Sequence, residues 1–129
     1  MKMNTIITGF CIFFSSLFSC QQNESYKTVS VDEFESVISN PEVQRLDVRT
    51  LAEFSDSHIP GSLNINVLDD SFMSMADSLL SKEKPVALYC RSGKRSRKAA
   101  GILAEKGYKV YNLDKGFESW TLAGKETVK

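Results

Sequence analysis

Residues 85–89 read Pro-Val-Ala-Leu-Tyr, an unbroken apolar segment that leads directly into Cys90. A strand with apolar residues on both faces must be covered on both sides, which is typical of a central strand in a parallel sheet. Proline is tolerated at the first position of such a strand. We expect a helix from about Ser96 to Lys106 after it, ending at Gly107 in a left-handed conformation. The segment therefore predicts a strand, a loop that begins at Cys90, and a helix.

The rest of the chain alternates between strand and helix patterns. Strand patterns cover residues 44–48, 63–67 and 108–113. Helix signals lie between them: capping boxes at Ser30 and Thr50, Asp69 or Asp70 as the N-cap of a helix with Phe72, Ala76 and Leu79 on one side, and a short last helix with Phe117 and Trp120. Strands separated by helices favour a parallel sheet with helices on both faces. A chain of 129 residues, 42% of them apolar, without internal repeats predicts a single α/β domain.

The first 19 residues have the composition of an export signal. Lys2 is followed by an apolar stretch of about a dozen residues, which is shorter than the roughly 20 that span a bilayer. The sequence Leu17-Phe18-Ser19-Cys20 resembles a bacterial lipobox, in which the cysteine is lipidated and becomes the new N-terminus. A buried N-terminal helix is the alternative, and the absence of a polar face in the stretch argues against it.

The lipobox resemblance predicts a lipoprotein signal peptide at residues 1–19, lipidation of Cys20, a polar tether at 20–26 and a domain at 27–129. It implies an exported lipoprotein anchored to a bacterial membrane, on the periplasmic or cell-surface side, and leaves inner and outer membrane equally open. Cys11 would leave with the signal peptide, so Cys90 would be the only free thiol and no intramolecular disulfide would form. A lone thiol is either buried and inert or kept for its reactivity.

The segment from Cys90 to Lys98 combines that thiol with five basic residues and no acidic one. A loop between a strand end and a helix N-terminus turns backbone N–H groups inward, which forms a nest for an anion. Gly93 provides the freedom for such a turn. Positive surroundings lower a thiol pKa from about 8.5 to between roughly 3.5 and 7.5, so we expect a Cys90 thiolate at neutral pH. In the plainer interpretation, Cys90 ends a core strand and the cations form a solvated helix face.

Charge is distributed unevenly along a chain that is balanced overall, with 16 basic and 16 acidic side chains. Residues 20–89 carry 5 basic and 12 acidic side chains, whereas residues 90–129 carry 10 basic and 4 acidic ones. The basic stretch is short and has no interleaved aromatic residues, so we expect no nucleic-acid partner. His58 is the only histidine and has no neighbouring cysteine or second histidine, so we expect no zinc site.

Three segments together resemble the rhodanese family, the single-domain thiosulfate sulfurtransferases. They span nearly all of residues 27–122 in the family's order: the loop Cys90-Arg91-Ser92-Gly93-Lys94-Arg95-Ser96; Leu46-Asp47-Val48-Arg49-Thr50 through Glu53-Phe54 to His58-Ile59-Pro60-Gly61-Ser62-Leu63-Asn64-Ile65; and Gly107-Tyr108 through Leu113 to Gly116-Phe117-Glu118-Ser119-Trp120. The resemblance implies a rhodanese-like single domain with a central parallel sheet. The chain departs from the family at Ser57 and Lys115, where members often carry glycine, and Lys115 would alter the wall of the pocket.

The resemblance also implies a mechanism, a thiosulfate sulfurtransferase reaction with Cys90 as the sulfur-accepting nucleophile. The substrate-binding residues would be Arg91, Ser92, Gly93, Lys94, Arg95 and Ser96. Backbone amides of the loop would hold the transferred sulfur, and its basic side chains would attract a small anionic donor such as thiosulfate. The Cys90 persulfide would then discharge onto cyanide, a thiol or a protein acceptor. Neither a cofactor nor a metal is implied.

Outside the loop, Asp47 and Arg49 lie at a predicted strand end near the presumed pocket. An ion pair that shapes the pocket is expected there in preference to a catalytic role. The family's loop implies a structural hydrogen-bonding role for His58, and we expect Phe117 and Trp120 in the core. One compact domain on a tether is consistent with a monomer.

Two other functions remain open. Cysteine-dependent phosphatases, one branch of which resembles rhodaneses in fold, need five residues between the cysteine and the arginine. Position 96 is a serine, and Arg95 closes a loop one residue shorter, which suits a sulfur atom better than a phosphoryl group. The second alternative is a noncatalytic rhodanese-like module that binds a partner or senses redox state through Cys90. Such a module has no need of both the thiol and the cationic loop.

Overall fold

The computed structural model describes residues 25–129. This part of the chain forms strands β1 (Lys27–Val29), β2 (Gln44–Asp47), β3 (Leu63–Asn64), β4 (Val86–Tyr89) and β5 (Val110–Leu113), and helices α1 (Val31–Ile38), α2 (Leu51–Asp56), α3 (Phe72–Leu79), α4 (Lys94–Glu105) and α5 (Gly116–Leu122). The strands pair in parallel in one sheet of order β1-β5-β4-β2-β3. β4 therefore lies at the centre of the sheet.

Every residue of β4 is buried, as its unbroken apolar sequence predicts. Successive side chains of a strand point to opposite faces. Val86, Leu88 and Cys90 accordingly pack in a cluster with residues of α3 and α4, whereas Ala87 and Tyr89 pack with residues of α1 and α5. Complete burial of a side chain such as Leu88 stabilises the fold by about 1.5–3 kcal/mol. The prediction of a single α/β domain with a parallel sheet and helices on both faces is confirmed.

The two predicted capping boxes differ in how completely they form. At α2, Thr50 Oγ1 accepts from the Glu53 N–H at 3.2 Å, and a Glu53 carboxylate oxygen accepts from the Thr50 N–H at 3.0 Å. At α1, Ser30 Oγ accepts from the Glu33 N–H at 3.2 Å. The Glu33 carboxylate, however, lies 3.2 Å from Lys27 Nζ. The capping box at α1 is therefore only half formed, because the Glu33 carboxylate pairs with Lys27 of β1.

Two strands depart from the sequence prediction. β1 was not predicted, because only Val29 of its three residues is buried and the strand pairs with β5 alone at the sheet edge. The strand expected over 63–67 is reduced to β3. Beyond it, the N–H of Ile65 donates to Asp47 O at 3.0 Å and the N–H of Val67 donates to Val48 O at 3.1 Å. The apolar side chains of this extension are buried as expected, although its backbone leaves the regular ladder.

Two helices also begin or face differently from the prediction. Ser71 is the N-cap of α3, although its side chain makes no capping hydrogen bond, so neither Asp69 nor Asp70 caps the helix. The helix ends at Leu79, which is 50% exposed, and Leu80 enters the core instead. α4 begins at Lys94, two residues before the predicted Ser96, because its N-cap is Gly93 in a left-handed conformation.

The predicted signal peptide, the lipidated Cys20 and all but the last two residues of the predicted tether lie outside the described residues. Within residues 25–129, no helix combines the length and the apolar character that crossing a membrane requires. In the same part of the chain, Cys90 is the one free cysteine, and it is buried.

Candidate active site

Cys90 directly follows β4 and its side chain is only 1% exposed. The chain then turns back, so that the N–H of Gly93 donates to Cys90 Sγ at 3.1 Å. This turn requires Gly93, whose φ of 111° lies in the region that L side chains rarely adopt. Because α4 begins at the next residue, the sulfur lies beside the first turn of a helix. The loop has the inward-facing N–H groups that the sequence predicts for an anion nest.

The surroundings of the sulfur lower the pKa of the Cys90 thiol. Burial by itself raises the pKa, but hydrogen bonds from the Ser96 hydroxyl and from the N–H groups of Ser96, Gly93 and Ser92 outweigh burial. These donors are uncharged. The pKa is lowered, as the sequence predicts. The main cause, however, is the set of neutral hydrogen-bond donors and not the cationic side chains.

Ser96 connects the sulfur to the loop backbone. Its side chain is fully buried, with Oγ 3.4 Å from Cys90 Sγ and 3.1 Å from the carbonyl oxygen of Gly93, to which the hydroxyl donates. While the thiol is protonated, its S–H has Ser96 Oγ as an acceptor. Once the proton has left, the hydroxyl is close enough to donate to the thiolate instead. Ser96 therefore provides an acceptor for the thiol and a donor for the thiolate.

The loop is held from behind by the N-terminus of α5. The N–H of Phe117 donates to the carbonyl oxygen of Cys90 at 2.8 Å, and the N–H of Glu118 donates to that of Arg91 at 3.0 Å. A side chain at Gly116 would place its Cβ 2.5 Å from the Cys90 carbonyl oxygen, at a φ of 58°. Only glycine allows so close an approach. With these two carbonyl groups bound to α5, the loop N–H groups are left facing the sulfur.

The cations of the loop lie around its outside, and two of them are paired with carboxylates. Arg95 makes two hydrogen bonds to the Glu53 carboxylate, at 2.8 and 2.9 Å. Arg91 Nε lies 3.2 Å from a Glu118 carboxylate oxygen at the exposed surface. Lys94 is exposed and has no ion pair with any residue of 25–129. The charge of the predicted cationic loop is therefore partly neutralised by acidic side chains from α2 and α5.

Glu53 is a member of the site that was expected only as part of the Thr50 capping box and of the segment that resembles rhodaneses. The Arg95 guanidinium, assisted by hydrogen bonds from Thr50, holds the pKa of Glu53 at about 2, against an ordinary value of 4.5, although partial burial opposes the shift. Its carboxylate thus joins the start of α2 to the first turn of α4. The capping signature predicts the first of these contacts, whereas no local signal predicts the second.

Asp47 and Arg49 form the predicted ion pair, with Arg49 Nη2 2.6 Å from Asp47 Oδ2 and both side chains buried. Arg49 also donates to the Ser57 carbonyl oxygen at 2.7 Å, and its guanidinium lies 4.4 Å from the centre of the Phe117 ring. Neither residue has a hydrogen bond to Cys90. The Arg49 guanidinium also lies 5.7 Å from the centre of the Tyr89 ring, directly before Cys90, and the pocket-shaping role stays a prediction.

His58 and Trp120 make contacts of a structural kind. His58 Nδ1 is 2.8 Å from the Phe54 carbonyl oxygen, and its ring stacks on that of Phe54 at 3.7 Å between centroids. Trp120 is buried, packs edge-to-face against Phe34 and donates to the Glu126 carbonyl oxygen. In the described part of the chain, no cluster of histidine, cysteine, aspartate and glutamate side chains has an arrangement that could hold a metal ion.

The chain matches known proteins over the whole region that carries this site. Residues 30–123 match the family described as "Rhodanese-like domain". The chain is 34% identical to a protein of Shewanella oneidensis named thiosulfate sulfurtransferase GlpE, over 74% of this chain and 93% of that protein. It is also 34% identical to the uncharacterized protein YqhL of Bacillus subtilis, over 89% of this chain and 87% of that protein.

Solved structures agree with the sequence comparisons. The crystal structure of a rhodanese-related protein from Thermoplasma volcanium superposes with a TM-score of 0.70 at 26% identity, covering 80% of this chain and 98% of that one. The family match over residues 30–123 includes strands β2 to β5, the Cys90 loop and the start of α5 that supports it. The chain therefore belongs to the rhodanese family of sulfurtransferase-related domains.

Proposed function

We propose that this protein is a thiosulfate sulfurtransferase that carries sulfane sulfur as a persulfide on Cys90. The observation that carries the proposal is the set of N–H groups around Cys90 Sγ, with the Ser96 hydroxyl 3.4 Å away, which together lower the pKa of the thiol although the site is buried. A thiolate is the reactive form of cysteine toward sulfur. The same donors suit a persulfide, which also carries negative charge next to Cys90.

In the first half-reaction, the Cys90 thiolate attacks the outer sulfur of thiosulfate. A new S–S bond forms to Cys90, the S–S bond of thiosulfate breaks, and sulfite leaves with the electron pair of that bond. The three negative charges of the reactants are then divided between the persulfide and sulfite. No general base is required, because the nucleophile is already ionised and the leaving group is a stable anion.

In the second half-reaction, a thiophilic acceptor such as cyanide attacks the outer sulfur of the persulfide. The bond from that sulfur to Cys90 breaks, thiocyanate leaves, and the Cys90 thiolate is regenerated. The reaction is therefore a ping-pong exchange without net oxidation of the protein. The name of the Shewanella oneidensis relative supports thiosulfate as the donor. The loop supports it as well, because it lies in a basic segment that attracts anions.

The decisive experiment is intact-mass measurement of the full-length chain, purified in detergent, after incubation with thiosulfate. We expect the mass to increase by one sulfur atom and to return to its original value on addition of cyanide, with release of thiocyanate. Cys90→Ser should abolish both changes. Lys98→Gln, at an exposed position on α4, serves as the control that keeps them.

Two results would contradict this function in different ways. Release of phosphate from an aryl phosphate, without any reaction with thiosulfate, would favour the phosphatase alternative. A folded protein that takes up no sulfur and cleaves no phosphate would favour the noncatalytic module, which binds a partner or senses redox state.

We also propose that the protein is an exported lipoprotein, cleaved before Cys20 and anchored to a bacterial membrane through that residue. The support is the sequence Leu17-Phe18-Ser19-Cys20 after a short apolar stretch. Cys20→Ala should leave the precursor uncleaved and without incorporated fatty acid in a metabolic labelling experiment. Cys11→Ala is the matched control and should be processed normally. Fatty-acid incorporation that persists in Cys20→Ala would refute the assignment.

A further inference from the structure

Lys115 occupies a backbone conformation that lysine does not favour. Its φ of 60° makes it the one non-glycine residue with a positive φ among residues 25–129. The left-handed region costs an L side chain conformational free energy that glycine does not lose. Strain of this kind persists where surrounding structure enforces it, and it is often found at functional sites. The strain therefore points to a role for the side chain of Lys115.

The position of Lys115 is at the rim of the Cys90 loop. The site where a Gly93 side chain would begin lies 3.4 Å from the backbone nitrogen of Lys115 and 3.3 Å from Nη1 of Arg97. Gly93 is the residue whose N–H donates to Cys90 Sγ. Nη1 of Arg97 and the backbone of Lys115 therefore lie close to the residue that binds the sulfur. We call these two residues the rim pair.

Like Lys94, the rim pair differs in its charge environment from Arg91 and Arg95. Arg91 and Arg95 are paired with Glu118 and Glu53. Within the described part of the chain, the rim pair has neither an ion pair nor a side-chain hydrogen bond, and both residues are exposed. Their charges remain available for an anion that approaches the sulfur from solvent.

We propose that Arg97 and Lys115 select acceptor thiols that carry a carboxylate a few bonds away from the sulfur. The inference rests on the proposed function, and it names the class of acceptor for the same site. Cys90 is only 1% exposed and the loop N–H groups lie against its sulfur, so the rest of an acceptor molecule stays outside the nest. A carboxylate attached through a short carbon chain extends outward, toward the side of Gly93 where the rim pair lies.

The chemistry of discharge explains why cations help there. The acceptor thiol gives its proton to the persulfide anion, and the resulting thiolate attacks the outer sulfur, so that a bond forms between the two sulfurs and the bond to Cys90 breaks. Cys90 leaves as a thiolate, and the acceptor leaves as a hydropersulfide, so charge and electrons balance. An acceptor with a carboxylate brings additional negative charge toward a site that already holds a thiolate at the end of the reaction. Two unpaired cations at the rim offset this repulsion.

The experiment loads the full-length chain with sulfur from excess thiosulfate, removes the donor, and follows persulfide discharge by intact mass. Mercaptosuccinate is the anionic acceptor and 2-mercaptoethanol the neutral one. The measured quantity is the ratio of their second-order discharge rates, since intrinsic thiol reactivity cancels when variants are compared. We expect Lys115→Gln and Arg97→Gln each to lower this ratio by about two- to fivefold, and added salt to lower the wild-type ratio as well. Lys98→Gln should keep the wild-type ratio.

Lys115→Gly separates the charge from the backbone strain. This variant should lose selectivity like Lys115→Gln without a lower Tm, because glycine accepts the left-handed conformation. If the chain loads with sulfur but the ratio of discharge rates is the same in all these variants, the proposed role of the rim pair is wrong and the proposed function stands. A chain that never loads would overturn both.

Discussion

Two neighbouring strands of the sheet end in turns that use polar groups in opposite ways. Asp47 of β2 is paired in register with Tyr89 of β4, so the segments after them lie side by side. After β2, the Asp47 carboxylate binds both the backbone N–H and the guanidinium of Arg49. After β4, the loop presents uncharged donors to a single sulfur atom, Cys90 Sγ. The turn after β2 neutralises its own charges, whereas the turn after β4 can stabilise a negative charge on the sulfur.

This difference separates stability from reactivity. A buried ion pair that is complete has no remaining tendency to bind an outside group, and loss of one partner leaves an uncompensated charge. A set of N–H donors around a buried thiol favours the thiolate and therefore favours nucleophilic attack. The two turns are also linked by contacts. Arg49 packs against the Phe117 ring, and the N–H of Phe117 donates to the Cys90 carbonyl oxygen.

The largest effect is expected from Asp47→Ala. This change leaves the Arg49 guanidinium buried without its carboxylate, and we expect the free energy of unfolding to fall by about 3–5 kcal/mol in urea titrations. The double variant Asp47→Ala/Arg49→Met should recover part of the loss, because the unpaired charge is removed as well. A loss below about 1 kcal/mol would mean that the first turn contributes little to stability.

A smaller effect is expected from Glu53→Gln, which removes the charge that joins α2 to α4. The free energy of unfolding should fall by about 1–3 kcal/mol near neutral pH, since hydrogen bonds to charged groups are worth that much. The folded-state pKa of Glu53 is about 2, below its ordinary value of 4.5. The stabilisation is therefore fully present above pH 4.5 and is lost as the pH falls toward 2.

Denaturation curves measured between pH 2 and 7 test this assignment. Glu53→Gln should flatten the dependence of stability on pH in the acidic part of the range. Glu118→Gln is the matched control, because it neutralises the exposed partner of Arg91 and should change stability by less than about 1 kcal/mol. If the free energy of unfolding of Glu53→Gln depends on acidic pH as in the wild type, the contact with Arg95 does not contribute to stability.

The smallest effect is expected from Ser96→Ala, which makes the second turn more like an ordinary buried thiol site. Loss of the hydroxyl removes a donor to the thiolate, so the pKa of Cys90 should rise. Alkylation by iodoacetamide at pH 7 should slow by roughly two- to tenfold, the value of one hydrogen bond. Ser62→Ala is the control, since Ser62 accepts from the Tyr89 hydroxyl without a hydrogen bond to Cys90. Equal alkylation rates in both variants would argue against the role of Ser96.

Much of the fold was predictable because its signals are local. The apolar run of β4, the full capping box of Thr50 and the left-handed Gly107 all follow from a few adjacent residues. The predictions fail where packing between elements decides whether a segment is a strand or whether a side chain is buried. β1 is a strand only because β5 offers it an edge, and Leu80 replaces Leu79 in the core because α3 ends between them.

The site was predictable in its residues and less so in its charges. The strand end, Gly93 and the start of α4 surround Cys90 as the sequence indicated. The five basic residues that follow Cys90 predicted positive surroundings for the thiol. In the folded chain, Glu53 reaches Arg95 across 42 positions of sequence, and Glu118 reaches Arg91 across 27. Such partners cannot be found from local patterns, because they depend on how α2 and α5 pack against the loop.

The sequence by itself determined that a thiol would stand at the end of a buried central strand, in a turn that only glycine permits. Both properties are local, since they follow from hydrophobicity and from allowed backbone angles. The tertiary structure alone decided which charges near that thiol are neutralised and which remain available. It brought the acidic first half of the chain against the basic second half at Arg95, and it left Arg97 and Lys115 without carboxylate partners among the described residues. Electrostatic pairing acts through space, so it is settled only when the elements have packed.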